Sequence, residues 1–150
     1  MKENKFRAWD KEAREMVYSD KTFPLSKYRL GIDLIYGEGL TLTKLSDRTN
    51  ITYDDGEEGI IDDFEKVDAD IMQYIGVKDS NGGEIYEGDI VKIEDYFGED
   101  IIGKIIYDET WACYCFMQGD EKSHFKMSLD LEGYLHVVIG NIYENSELLK

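Results

Sequence analysis

Ile71-Met72-Gln73-Tyr74-Ile75-Gly76, Asp79-Ser80-Asn81-Gly82-Gly83 and Ile85-Tyr86-Glu87-Gly88-Asp89-Ile90-Val91-Lys92-Ile93 follow one another almost without a gap. They read as strand, turn and strand. The flanks are rich in β-branched and aromatic side chains, which fit a pleated, half-buried surface. The centre carries Gly and Asn, which reach positive φ at little steric cost. Gly88-Asp89 turns the chain into the alternating second strand, and Gly103-Lys104-Ile105 follows in the next. This step recurs at the start of small SH3-like barrels.

The pattern extends outward from there. Ile101–Tyr107 and Trp111–Met117 are joined by Asp108-Glu109-Thr110, a tight hairpin. His124–Leu129 reads as a weaker strand, and Tyr134–Ile139 as a strong one ending at Gly140-Asn141. Upstream, Phe6-Arg7-Ala8-Trp9 and Met16-Val17-Tyr18 flank a charged stretch and form an N-terminal hairpin. Leu40–Leu45 suits a half-buried strand in its first part, whereas Leu25–Ile35 fits a short helix or a strand. Ile142–Leu149 allows one helical turn capped by Asn145 or Ser146. Helical periodicity is otherwise scarce. The prediction is a mainly β protein: a small barrel with SH3-like character in the C-terminal half, an N-terminal β-hairpin and little helix. At 150 residues a single domain is expected over 1–150, with an insert at about 19–70 and a barrel core at about 71–145.

With 42% hydrophobic and 13% aromatic residues the chain can bury a core, which argues against wholesale disorder. Its net charge of -16 disfavours binding to nucleic-acid phosphates and anionic lipid. No apolar run approaches the ~18 residues of a membrane span. The charged N-terminus has no apolar stretch after it, so no secretory leader is expected and the cytoplasm is the expected compartment. The charge is uneven. Residues 1–30 carry +3, residues 31–75 carry -9 and residues 76–150 carry -10. The acidic peak, Asp54 to Asp70, contains Asp54, Asp55, Glu57, Glu58, Asp62, Asp63 and Glu65. It reads as a solvated loop. Its carboxylates are the candidate partner-binding residues, able to meet a basic surface.

Chemistry-bearing motifs are few. Asp54–Glu65 resembles a calcium loop at Asp54, Gly59, Ile61 and Glu65. Gly56 stands where a ligand is needed, and the preceding Thr49-Asn50-Ile51-Thr52-Tyr53 is β-rich rather than helical. Asp79-Ser80-Asn81-Gly82-Gly83-Glu84 fails the same test. Cys113 and Cys115 lie in a C-x-C pair, on one face if the segment is a strand. Their spacing from His124 and His136 matches no zinc finger or ribbon, so two thiols in a core strand are expected and no cofactor or metal. Cys-His catalysis is compatible with the spacing but nothing points to it. No phosphate-binding glycine loop is present. The expectation is a protein that is not an enzyme.

Three blocks carry a family resemblance. Lys5-Phe6-Arg7-Ala8-Trp9-Asp10 with Met16 resembles the opening block of YopX-type phage proteins. Ile71–Asp79 with Glu84–Val91 resembles the central block, and Val138-Ile139-Gly140-Asn141-Ile142-Tyr143-Glu144-Asn145 the closing one. Residues from about Ser19 to Asp70 match none of these blocks. The resemblance implies a mainly β, barrel-like protein carried by bacteriophages and prophages, with no established activity and no catalytic residues.

Two functions of different class follow as expectations. The first is a phage or prophage accessory protein that binds a host or phage protein through acidic and Tyr-rich surfaces, in the manner of a DNA mimic if that partner binds nucleic acid. The chain has 11 Tyr, and complementary charge speeds encounter. The alternative is a small nucleic-acid-binding barrel. It would use Lys2, Lys5, Arg7, Lys11, Arg14, Lys21, Lys27 and Arg29, with Phe6, Trp9 and Tyr28 between them. Homo-oligomerisation is compatible with a short β domain rich in Tyr.

Overall fold

The structure, a computed structural model, describes residues 4–19, 27–33, 39–94, 98–119, 124–125 and 135–150. Its strands are β1 (Phe6–Asp10), β2 (Glu15–Tyr18), β3 (Tyr28–Asp33), β4 (Gly39–Thr52), β5 (Glu58–Lys66), β6 (Ala69–Lys78), β7 (Glu84–Tyr86), β8 (Asp89–Glu94), β9 (Asp100–Asp108), β10 (Cys113–Met117), β11 (His124–Phe125) and β12 (Leu135–Asn141). A 3-10 turn, Ser146–Leu149, follows β12. The mainly β expectation holds, with curled antiparallel sheets of half-barrel form. The described residues divide into two compact units, Lys5–Ile71 and Met72–Lys150 with Asn4, and the boundary falls inside β6.

In the first unit β1 and β2 form the expected hairpin, with Arg7 opposite Tyr18 and Asp10 opposite Glu15. The connection is tied by Asp10, whose Oδ1 accepts the backbone N–H groups of Glu12 (3.0 Å) and Ala13 (2.8 Å). β3, β4 and β5 form an antiparallel three-stranded sheet in that order. Residues 28–33, within the segment that fits helix or strand, are therefore strand; residues 25–26 and 34–35 lie outside the described residues. Ala8, Val17, Tyr28 and Leu42 make this unit's core, with Leu30, Val67, Ala69 and Ile71 against it.

The second unit holds a five-stranded antiparallel sheet in the order β11-β10-β9-β8-β12. Its core is Ile75, Ile85, Val91, Ile105 and Phe116. The Gly88-Asp89 step joins its elements. Gly88 sits at φ +78°, where a Cβ is strained. Its N–H donates to the Ile105 carbonyl (2.8 Å), its carbonyl accepts from Ile142 (2.9 Å), and the buried Asp89 Oδ2 accepts the Tyr86 N–H (2.7 Å). Asp79 does similar work one turn earlier. Its Oδ1 accepts from Asn81 and Gly83, and its Oδ2 accepts from Val138 on β12. Short polar side chains at these turns satisfy backbone donors that the strand ladders leave over.

Two expectations need correction. The C-terminal turn forms, but no side chain caps it. Asn145 Oδ1 instead accepts the Asn141 N–H at 3.3 Å. The acidic peak is not a loop: Tyr53–Glu57 turn, Glu58–Lys66 is a strand, and Val67–Asp68 link it to the start of β6 at Ala69. Of the expected strand at 124–129, His124–Phe125 is strand, and residues 126–129 lie outside the described residues.

Candidate functional site

Asp54-Asp55-Gly56 supplies the turn between β4 and β5. Gly56 takes φ +85°, its N–H donates to the Tyr53 carbonyl (2.9 Å), and Asp55 Oδ1 accepts the Glu57 N–H (3.1 Å). A three-residue connection ending in a left-handed Gly suits the twist of a hairpin. The strands then pair from Thr52 opposite Glu58 down to Thr43 opposite Lys66, with a bulge between Leu45 and Asp47. Beyond the bulge the described residues form a two-stranded arm. Ser46–Asn50 on β4 are exposed, as are all residues from Thr52 to Glu58. Ile60 is 61% and Ile61 47% exposed, although in a strand these neighbours point to opposite faces. Both faces of the arm therefore meet solvent. Asn50, Ile51, Thr52, Glu58, Gly59 and Ile60 line a shallow depression near its end.

Six residues of Glu58–Asp63 extend about 20 Å along the arm, so Asp54 and Glu65 cannot close on one cation. The calcium-loop reading fails for that reason. The seven candidate carboxylates take three different positions. Asp54, Asp55, Glu57 and Glu58 crowd the tip, exposed and without an ion pair among the described residues. Asp62 is engaged: Arg48 Nε donates to its Oδ1 (2.7 Å) and Arg48 Nη2 to its Oδ2 (3.0 Å). That bidentate contact holds the Asp62 carboxyl below its ordinary range and raises the Arg48 guanidinium. Asp63 stands in register with Asp47, and Glu65 with Lys44. Like charges directly opposite destabilise a ladder, so the Asp47/Asp63 pair works against the hairpin's own stability.

Apolar groups complete the arm. The Tyr53 ring covers Gly59: a Cβ there would stand 2.7 Å from Tyr53 Cε2. At the base the Arg29 guanidinium lies over the Phe64 ring, 3.7 Å from its centroid. The arm is thus anchored by cation–aromatic and ion-pair contacts near the bulge and carries unneutralised charge at the tip.

The basic N-terminal residues do not form a comparable patch. Lys2 and Lys21 lie outside the described residues. Arg7 is buried. Lys11 Nζ contacts Asp70 (2.9 Å) and Asp68 (3.0 Å), and these partners, Asp70 first, push its pKa up to about 12. Lys27 pairs with Glu15 at 2.8 Å. Arg14 sits in the hairpin connection at φ +55°.

The other candidates are structural. Cys113 and Cys115 share a face of β10, with Sγ atoms 3.8 Å apart, and Cys115 is buried. His136 is buried; its Nε2 lies 3.1 Å from the Lys78 carbonyl and its backbone N–H donates to Ser80 Oγ. A carbonyl only accepts, so Nε2 carries the proton and is committed to that bond. The His124 side chain is outside the described residues. Among the described residues no group of three or more His, Cys, Asp or Glu is arranged to hold a metal. The inventory of motifs overlooks Asp10. It is 1% exposed, and its Oδ2 accepts the Tyr28 hydroxyl at 2.7 Å. Burial drives its pKa up, but the Ala13 N–H, the Tyr28 hydroxyl and the Glu12 N–H outweigh this and hold it below the ordinary value. Burial, then the Asp10 contact, raises Tyr28. Glu87 is raised by burial while it accepts from the Tyr107 N–H. In β9–β10, Tyr107 and Tyr114 meet edge to face at 5.3 Å, and the Tyr114 hydroxyl donates to Gln73 Oε1.

Fold and site together define a small mainly β protein with an acidic hairpin arm. The chain belongs to the YopX protein family, whose model matches residues 5–150. The match runs through residues 19–70, which the three blocks left uncovered. The chain is also similar, at 26% identity and a TM-score of 0.61 over 100% of both chains, to the crystal structure of protein EF1440 from Enterococcus faecalis. No curated protein matches it. No helix among the described residues is long and apolar enough to cross a membrane.

Proposed function

We propose that this YopX protein is a phage or prophage accessory protein that acts without catalysis, by docking its β4–β5 arm on a basic protein surface. The observation that carries this is the arm's tip. Asp54, Asp55, Glu57 and Glu58 project together on a ribbon that buries neither face. Asp63 faces Asp47 in the same ribbon. Concentrating like charge there costs the fold stability, and a positively charged partner would offset that cost on binding. Ile60, Ile61 and Tyr53 add exposed apolar surface beside the charge, as interface centres require.

The nucleic-acid reading has less support. Lys11 and Lys27 are engaged by carboxylates, Arg29 lies on Phe64 and Arg7 is buried. A protein partner is tested by affinity capture from host lysate at low and high salt. The proposal expects a partner retained at low salt and released at high salt, because exposed charge is screened within about 10 Å at 0.1 M. Recovery of no salt-sensitive partner would count against it.

A further inference from the structure

We infer that the outer edge of β5 is a strand-addition site for a basic extended segment of the partner. This rests on the acidic-arm reading and names how the arm would engage. In the sheet order β3-β4-β5, β5 is terminal, and no strand among the described residues pairs with its outer edge. The turn sets the phase of that edge. Tyr53 N–H donates to the Glu57 carbonyl at 2.8 Å, so Tyr53 and Glu57 form a hydrogen-bonded pair. Antiparallel ladders alternate such pairs with non-bonded ones. In the register Ile51–Gly59, Thr49–Ile61 and Asp47–Asp63, the β5 members turn their backbone groups to β4. Glu58, Ile60 and Asp62 turn theirs outward. An exposed row of N–H and C=O groups is a template for a further strand.

Charge selects the occupant. Along β5 stand Glu58, Asp62, Asp63 and Glu65 against Lys66. A second copy paired edge to edge would set this row against itself, and opposed like charges disfavour that pairing. Because alternate side chains take opposite faces, a segment alternating Lys or Arg with apolar residues sets its cations on the face of Asp63 and Glu65 and its apolar side chains on the face of the exposed Ile60. Its main chain would bond to β5 and its cations would face the acidic side chains.

The test uses the full chain and a capped peptide as long as β5, 9 residues, alternating Lys with Val. An isocharge peptide alternating Lys with Gly serves as control. Binding is followed by fluorescence anisotropy at low salt, and amide hydrogen exchange by NMR. We expect the Lys–Val peptide to bind about tenfold more tightly and to protect the amides of Glu58, Ile60 and Asp62. N-methylation of alternate peptide residues should remove that margin without touching the protein. Ile60→Pro should do the same, since it deletes an N–H that β4 does not use and proline is tolerated at such edge positions. If both peptides bind equally, with no protection, and both are lost when the tip is neutralised, strand addition is overturned and the charge reading survives. If neither peptide binds, both fall. If sedimentation shows a dimer that Ile60→Pro dissociates, the occupant is a second copy and the inference is wrong.

Discussion

Tyr28→Phe removes one hydrogen-bond donor from the buried Asp10 carboxylate of the first unit. The Tyr28 ring packs with Ala8, Val17 and Leu42, and Phe keeps those contacts. What is lost is the hydroxyl that donates to Asp10 Oδ2 at 2.7 Å. Asp10 is buried, so water does not replace the donor freely. A hydrogen bond to a charged group contributes about 1.5–3 kcal/mol, and the substitution should cost about 2 kcal/mol at neutral pH. Urea unfolding of both proteins, with unchanged m-values, gives the difference. The pH dependence has a definite sign. The folded pKa of Asp10 lies below its ordinary value, so its contribution is present above the unfolded pKa and is lost as pH falls through the folded one. Removing the Tyr28 donor raises that folded pKa. The gap between the two proteins should therefore be widest at neutral pH and narrow below about pH 4. Comparison at each pH cancels the remaining carboxylates, which both proteins share. A gap under about 0.5 kcal/mol at neutral pH, or one that grows in acid, refutes this account of Asp10.

Gly103→Ala should destabilise the second unit by about 1–3 kcal/mol or more. The new Cβ would stand 2.5 Å from the Met117 carbonyl oxygen and 2.6 Å from Phe116 Cζ. Thermal unfolding at the wild-type midpoint would contradict it. In thiol-reagent kinetics, Cys113 should react in the native protein, whereas Cys115, 3% exposed, should react only on unfolding. Equal rates would place Cys115 at the surface.

The parts of the fold legible in the sequence are those where local chemistry and packing agree. Tyr74, Ile75, Ile85 and Ile90 are buried, and their β-branched and aromatic character marks these runs as strands. Gly88 and Asp79 announced turns because only their chemistry satisfies those backbones. The arm is not legible in the sequence because charge density masks its pairing. Asp54-Asp55-Gly56 between Ile51 and Ile60 is a hairpin signal of the same kind, but the carboxylates around it suggested solvated coil. What the sequence could not show is cross-strand registry. Arg48 meets Asp62 and Asp47 meets Asp63 only after β4 and β5 pair. The Asp10–Tyr28 contact is likewise a product of packing between β1 and β3, 18 positions apart.

The central claim is that the unpaired carboxylates at the arm's tip hold a basic partner. It is tested most directly by comparing the wild-type chain with D54N/D55N/E57Q/E58Q as affinity baits at low and high salt. Asn and Gln keep the side-chain volumes, and Asn at 55 can still accept the Glu57 N–H. The account predicts that the wild-type chain retains a partner at low salt and releases it at high salt, and that the neutralised arm retains none at either. Retention of the same partner by both baits, with the same salt dependence, would contradict it.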